Sequence, residues 1–189
     1  MSRTGPPAPS LRIVAGEFGG RRISTPAGTT TRPTADRVRQ AVFNALDSLD
    51  AVDGARVLDA FAGSGALGLE ALSRGAAEVT FAEVDRRARS VVEANVAALG
   101  VADRARVTGV DGAGLAAAGP WDLVLADPPY AFEGWEALLD AVAAGLAPEG
   151  VAVLESDREV ALPGSLRALR ARRYGGTVVT FAARSGAPT

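Results

Sequence analysis

Asp127-Pro128-Pro129-Tyr130 stands directly after the apolar run Leu123-Val124-Leu125-Ala126. A run of that kind suits a strand covered on both faces, so an acid, two prolines and an aromatic at its tip need a reason. One reason is chemical. An exocyclic aromatic amine is a poor nucleophile because its lone pair is delocalised into the ring. Hydrogen bonds from its two N–H groups to a carboxylate and a backbone carbonyl pull the nitrogen towards tetrahedral and localise the pair for attack on a methyl group. Asp127 can supply the carboxylate and Pro128 the carbonyl, whose direction the neighbouring Pro129 ring restricts. Tyr130 offers a face for a base taken out of its stack. The methylated amine is acidic and sheds its proton after transfer, so no strong base is needed.

That freedom matters in this chain. Its 189 residues include no His and no Cys, and every one of its 20 basic residues is Arg. The composition excludes disulfides, a thiolate nucleophile, a Ser-His-Asp triad, a P-loop lysine and a Schiff base, and no metal site is expected. Chemistry here has to run on carboxylates, backbone groups, aromatics or a cofactor that arrives already reactive.

A second constellation names the cofactor class. Gly63-Ser64-Gly65-Ala66-Leu67-Gly68 matches G-x-G-x-x-G after an apolar stretch, and Glu83 follows Gly63 by 20 positions. Such glycines allow close backbone approach to a ligand, and the spaced acid accepts hydrogen bonds from ribose hydroxyls. Alone the match would suggest NAD. Asp59, four residues before Gly63, argues otherwise, since a carboxylate beside two phosphates would repel them. S-adenosylmethionine carries an ammonium and a sulfonium, which an acid favours. Asp111, after the "VTGV" stretch, is placed to reach an adenine amino group, so acids 59, 83, 111 and 127 are expected along one edge of a sheet.

The elements that must position these residues follow from periodicity. Leu11 to Ala15 and Arg21 to Ser24 read as a hairpin around "GEFGG". "TRPTADRVRQAVFNALDSL" reads as a helix that Thr34 caps, with Val38, Val42, Ala45, Leu46 and Leu49 on its buried face. From Arg56 apolar strands alternate with helices, which argues for a parallel sheet covered on both faces. The fifth strand of that series is expected to open near Val151. The tail breaks the rhythm: "LRALRARRYGGTVVTFAAR" reads as an antiparallel pair turning at Tyr174-Gly175-Gly176. Residues 1–33 form the expected tail and basic hairpin extension, and 34–189 the doubly wound α/β domain. In such sheets ligands sit beyond the carboxyl ends of the strands.

Net charge is −2, but it is unevenly spread. Residues 1–40 hold seven Arg against Glu17 and Asp36, and the remainder holds 13 Arg against 20 acids. A basic end on an acidic body suits an arm that touches phosphate, and cutting the chain before Asp36 should then spare cofactor binding. Arg167, Arg170, Arg172 and Arg173 suit RNA contact or protection of an edge strand equally well. Trp121 and Trp135 read as core residues. No apolar run approaches the roughly 18 residues that span a bilayer and no secretory h-region is seen, so a cytoplasmic, membrane-free protein is expected, as a monomer.

"RPTADRVRQAVFNAL", "VLDAFAGSGALGLEALSRG", "AEVD" and "DPPY" together resemble the RsmD family. The resemblance implies a Rossmann-like class I methyltransferase fold: a seven-stranded, mostly parallel sheet with an antiparallel C-terminal strand and a small N-terminal β-hairpin. It implies transfer from S-adenosylmethionine, leaving S-adenosylhomocysteine, to guanine N2 of small-subunit (16S) ribosomal RNA, in an assembled or assembling subunit. Asp59, Phe61, Ala62, Gly63, Ser64, Gly65, Glu83, Val84, Asp111 and Gly112 are the expected cofactor contacts. Asp127, Pro128, Pro129 and Tyr130 are the expected catalytic residues, and Arg12, Arg21, Arg22, Arg32 and Arg37 the RNA contacts. Three rivals remain: an adenine-N6 methyltransferase of DNA or RNA, an NAD-binding oxidoreductase, and a non-catalytic RNA-binding module.

Overall fold

A computed structural model describes residues 10–26 and 33–186. Strands β1 (Ser10–Arg12) and β2 (Arg22–Ser24) pair as an antiparallel hairpin, followed by helix α1 (Pro33–Asp47). Then strands and helices alternate: β3 (Arg56–Asp59), α2 (Ala66–Ser73), β4 (Glu78–Ala82), α3 (Arg86–Leu99), β5 (Ala105–Thr108), α4 (Gly112–Ala116), β6 (Trp121–Ala126), α5 (Trp135–Gly145) and β7 (Leu146–Ser156). Strands β8 (Leu166–Tyr174) and β9 (Thr177–Arg184) close the fold.

Seven strands form one sheet in the order β5-β4-β3-β6-β7-β9-β8. β3 to β7 pair in parallel, and β9 runs antiparallel between β7 and β8. The Rossmann-like, mostly parallel architecture expected from the alternating pattern is therefore present. Each central strand feeds two layers because side chains alternate across a sheet. Val57, Leu123, Leu125, Val151 and Val153 join one apolar cluster with α1, α2 and α3. Leu58, Val124, Ala126, Ala152 and Leu154 join the other with α4 and α5. The chain order reverses at β3, which lies between β4 and β6, so the loops leaving β3 and β6 diverge and open a crevice.

Four local expectations change. α1 begins at Pro33, ahead of Thr34; proline suits a first helical position because its missing N–H would have no partner there. The helix ends at Asp47, so Leu49 lies past it and is 48 % exposed, while Phe43 is fully buried. β7 begins at Leu146, five residues before Val151, because Trp121 pairs with Leu146 ahead of a register shift. The fourth change concerns the arm. Ile13, Phe18 and Ile23 of the hairpin region belong to the same buried cluster as Phe43, Leu46 and Leu72.

Polar groups fix that docking. The buried Glu70 carboxylate accepts from the Val14 and Ala15 N–H groups at 2.7 and 3.1 Å and pairs with Arg74 at 2.8 Å. Ser73 Oγ accepts from the Phe18 N–H, and Asn95 exchanges two hydrogen bonds with the Ser24 backbone. Cutting before Asp36 would expose this cluster and strand Glu70, which a freely removable arm would not do. At the other end, Tyr174 pairs with Thr177 across Gly175-Gly176, and β8 carries the exposed Arg170, Arg172 and Arg173 along the sheet edge. Among the described residues no helix is long and apolar enough to cross a membrane.

Candidate active site

The glycine loop leaves β3 in two left-handed steps, Gly63 at φ +55° and Gly65 at φ +80°. A Cβ on Gly63 would meet nothing within 4 Å, so the backbone there faces open space. Gly68 serves packing: a Cβ would run into the Phe81 ring and Val79, because the first turn of α2 lies directly on β4. Glu83 shapes the loop before any ligand arrives. Its carboxylate accepts from the Gly63 and Asp85 N–H groups, each at 2.8 Å. Asn95 ties down the other side by donating to the Ser64 carbonyl at 2.9 Å.

Asp59 ends β3 with 1 % of its surface exposed. Its Oδ2 accepts from the Gly68 N–H at 3.0 Å, and its Oδ1 has no partner among the described residues. Burial pushes this carboxyl up to about 7, and the neighbouring Asp127 and Glu83 carboxylates add to the shift. An orphaned acceptor under a glycine loop fits a ligand that brings positive charge. Asp111 caps α4, accepting from the Gly114 N–H at 3.2 Å, and remains exposed. Gly112 lets α4 meet the strand exit, since a Cβ would collide with the Ala60 carbonyl. Val84 is 65 % exposed.

Beyond β6 the arrangement differs. A cavity of about 600 Å³ is lined by Phe61, Ala62, Gly63 and Ser64 together with Asp127, Pro128, Pro129 and Tyr130. The chain thus brings the glycine loop and the proline motif to one space; Asp59, Gly65, Glu83, Val84, Asp111 and Gly112 do not line it. Pro128 is buried and Tyr130 is 65 % exposed at the rim. The motif is propped from below. The Phe132 N–H donates to the Pro129 carbonyl at 2.8 Å, and the Phe132 ring stands edge-on to Phe61 and Trp135. Trp135 belongs to the core, as expected, and also reaches the cavity wall. Trp121 is structural: its indole N–H donates to the Leu115 carbonyl.

Glu155 and Arg39 are two of the cavity residues that escaped the sequence reading. Ala126 pairs with Leu154, and the next positions along the two chains are Asp127, just past the end of β6, and Glu155 of β7. Both line the cavity, and among the described residues no donor hydrogen-bonds either carboxyl. Burial pushes both above the usual carboxylate range, Glu155 also through repulsion by Asp127, with the Arg39 guanidinium opposing. Arg39 is buried on α1, pairs with Asp36 at 3.0 Å and Glu70 at 3.7 Å, and donates to the Arg12 carbonyl. A signal for each existed. Arg39 shares a helix face with Val42 and Leu46, and Glu155 a strand face with Val151 and Val153. A charge at a core-facing position marks a functional candidate.

Arg12, Arg22 and Arg37 are exposed, on β1, β2 and α1 respectively. Arg21 is exposed but engaged, lying over the Phe18 ring and donating to the Ala98 carbonyl at 2.6 Å. Arg32 lies outside the described residues.

Residues 11–183 match the family model described as conserved hypothetical protein 95. The chain belongs to this family. Its relatives include the ribosomal RNA small subunit methyltransferase D of Escherichia coli, 40 % identical over 81 % of this chain and 78 % of that protein. A Bacillus subtilis protein, YlbH, provisionally named an rRNA methyltransferase, is 38 % identical over 93 % of this chain and all of its own length. A solved Escherichia coli structure, provisionally titled methyltransferase yhhF, is 36 % identical with a TM-score of 0.82, covering 93 % of this chain and 98 % of that one. The family is the one that "DPPY" and the N-terminal "RPTADRVRQAVFNAL" resemble.

Proposed function

We propose that this protein transfers a methyl group from S-adenosylmethionine to the exocyclic N2 of a guanine in small-subunit (16S) ribosomal RNA. One observation carries the reading: Asp127-Pro128-Pro129-Tyr130 and the Gly63 loop wall the same cavity at the point where strand order reverses. Membership of a family whose relatives are named as rRNA methyltransferases supports it.

The cofactor supplies an electrophilic methyl on a cationic sulfur. This chain's residues fit it: the buried Asp59 carboxyl lacks a partner on Oδ1, Gly63 presents open backbone, and Glu83, just past β4, and Asp111, at the start of α4, would offer acceptors to ribose and adenine groups. The protein then does three things. Tyr130 gives the flipped base a surface to stack on. Asp127 and the Pro128 carbonyl accept from the two N–H groups of the target amine, turning its lone pair towards the methyl. The apolar wall that Phe61, Pro128 and Trp135 give the cavity reduces the water around that amine, which strengthens both hydrogen bonds. After transfer the nitrogen is cationic and acidic, and its proton leaves to Asp127 or to water. The exposed Arg12, Arg22 and Arg37 hold phosphates outside the site. The enzyme works in the cytoplasm as a monomer on assembled or assembling subunits.

The deciding experiment incubates the protein and label-bearing S-adenosylmethionine with small subunits from cells lacking this gene, then digests the RNA. Labelled N2-methylguanosine is expected. Label on adenine would keep the chemistry and replace the base with adenine.

A further inference from the structure

Glu155 has no role in the transfer as described, yet it lines the cavity together with Asp127. We infer that Glu155 is the residue that selects guanine, by accepting a hydrogen bond from the ring N1–H while Asp127 accepts from N2. The inference rests on the reading of the site as one for a guanine amine.

Three observations place it there. The last β6–β7 pair, Ala126 with Leu154, makes Asp127 and Glu155 the next residue along each chain, and both line the cavity. Strand alternation puts both on the face towards α1, since Leu125 and Val153, two residues earlier, share the cluster that α1 joins. Neither carboxyl is spent on a donor among the described residues. Two acceptors lining one space favour a ligand with two neighbouring donors, because a base that covers the half-buried Glu155 and the exposed Asp127 strips their water and must replace it.

Guanine has such an edge. Its N1–H and N2–H₂ lie next to each other as donors. Adenine presents one amino donor beside a ring nitrogen whose lone pair would face the Glu155 oxygen. A site that offers acceptors at both positions accepts the first base and opposes the second. Arg39 completes the device. Its guanidinium, held by Asp36, Glu70 and the Arg12 carbonyl, partly offsets the burial and the Asp127 repulsion that hold the Glu155 carboxyl above its ordinary range.

The test uses reconstituted small subunits whose target guanine, mapped first with the wild-type enzyme, is replaced by 2-aminopurine. That base keeps the 2-amino group and loses the N1–H. Single-turnover methylation is compared for wild type, Glu155→Gln and Glu155→Ala, with S-adenosylhomocysteine affinity as the check on folding. Glutamine keeps an acceptor but adds a donor for an unprotonated N1. Wild type should prefer guanine over 2-aminopurine by roughly 10- to 100-fold, and Glu155→Gln should bring that ratio close to one. Glu155→Ala should lose guanine rate and leave the 2-aminopurine rate nearly unchanged. An identical ratio in all three proteins, with cofactor affinity intact, would overturn the role of Glu155 and leave the proposed function standing. Failure of the wild type to methylate any guanine would overturn both.

Discussion

The two halves of the sheet's carboxyl edge treat their acids differently. On the β3–β4–β5 side, Glu83 and Asp111 already accept backbone N–H groups, and Asp59 accepts one with half of its carboxylate. On the β6–β7 side, Asp127 and Glu155 accept from no donor among the described residues. The first half is thus built before its ligand arrives, with acids that shape loops and cap helices. The second half holds acceptors that no described protein donor meets, open to solvent at Asp127 and half-buried at Glu155. A nucleoside cofactor common to many folds suits a preformed cradle. A base that must be pulled from RNA needs a site that gains most when the right edge enters.

The largest test of this contrast is Asp127→Asn. It should slow methyl transfer by roughly 10²- to 10⁴-fold while leaving cofactor affinity within about twofold. Single-turnover rates beside calorimetric binding would show it, and equal losses in both would erase the division between halves. Glu70→Ala strikes beneath both halves. It leaves the buried Arg39 and Arg74 short of a partner and frees two hairpin N–H groups. Stability should fall by about 3–5 kcal/mol in chemical denaturation, as expected when one member of a buried ion network is removed.

The mirror image of the Asp127 variant is Glu83→Ala. With the Gly63 and Asp85 N–H groups released, cofactor affinity should weaken roughly 10- to 100-fold while the rate at saturating cofactor changes little. A slowed chemical step at full occupancy would show that Glu83 reaches across to the target half. Gly68→Ala is milder. The added methyl forces Phe81 and Val79 aside and should cost about 1–3 kcal/mol of stability, read from thermal unfolding, with cofactor affinity falling alongside. An unchanged melting temperature would mean that the α2–β4 contact yields more than its geometry suggests.

The same contrast explains what could be read from the sequence. The preformed half is local: Gly63 and Glu83 lie 20 positions apart, Asp59 and Gly68 nine, and each spacing is a motif. The strand–helix alternation was legible for the same reason, since each unit packs next to its successor. The target half was legible only at "DPPY", whose residues are contiguous. Glu155 meets Asp127 through sheet register, and Arg39 arrives from a helix more than a hundred residues earlier. Neither juxtaposition leaves a spacing signature. The hairpin itself was legible, but its packing was not, for a related reason: its charge is visible in sequence, while Ile13, Phe18 and Ile23 are too few to announce that they complete a core on α1 and α2.

The smallest predicted effect is a proton count, and it bears on Asp59, the buried acid of the β3–β4–β5 side. In the ligand-free protein Asp59 is pushed up to about 7 from an ordinary 3.8, so between those values the folded chain holds a proton that the unfolded chain has lost. The sign follows from linkage: this group's contribution to stability falls as pH rises through that window and levels off above about 7. A cationic ligand reverses the balance by favouring the carboxylate, so binding expels the proton. Calorimetry of S-adenosylmethionine binding in buffers of different ionisation enthalpy should show release of up to about one proton near pH 6, fading towards pH 8. Asp59→Asn should abolish the release and bind with little dependence on pH. Release that persists in the variant would assign the proton to Asp127 or Glu155, and would mean that the target half responds to the cofactor before any RNA arrives.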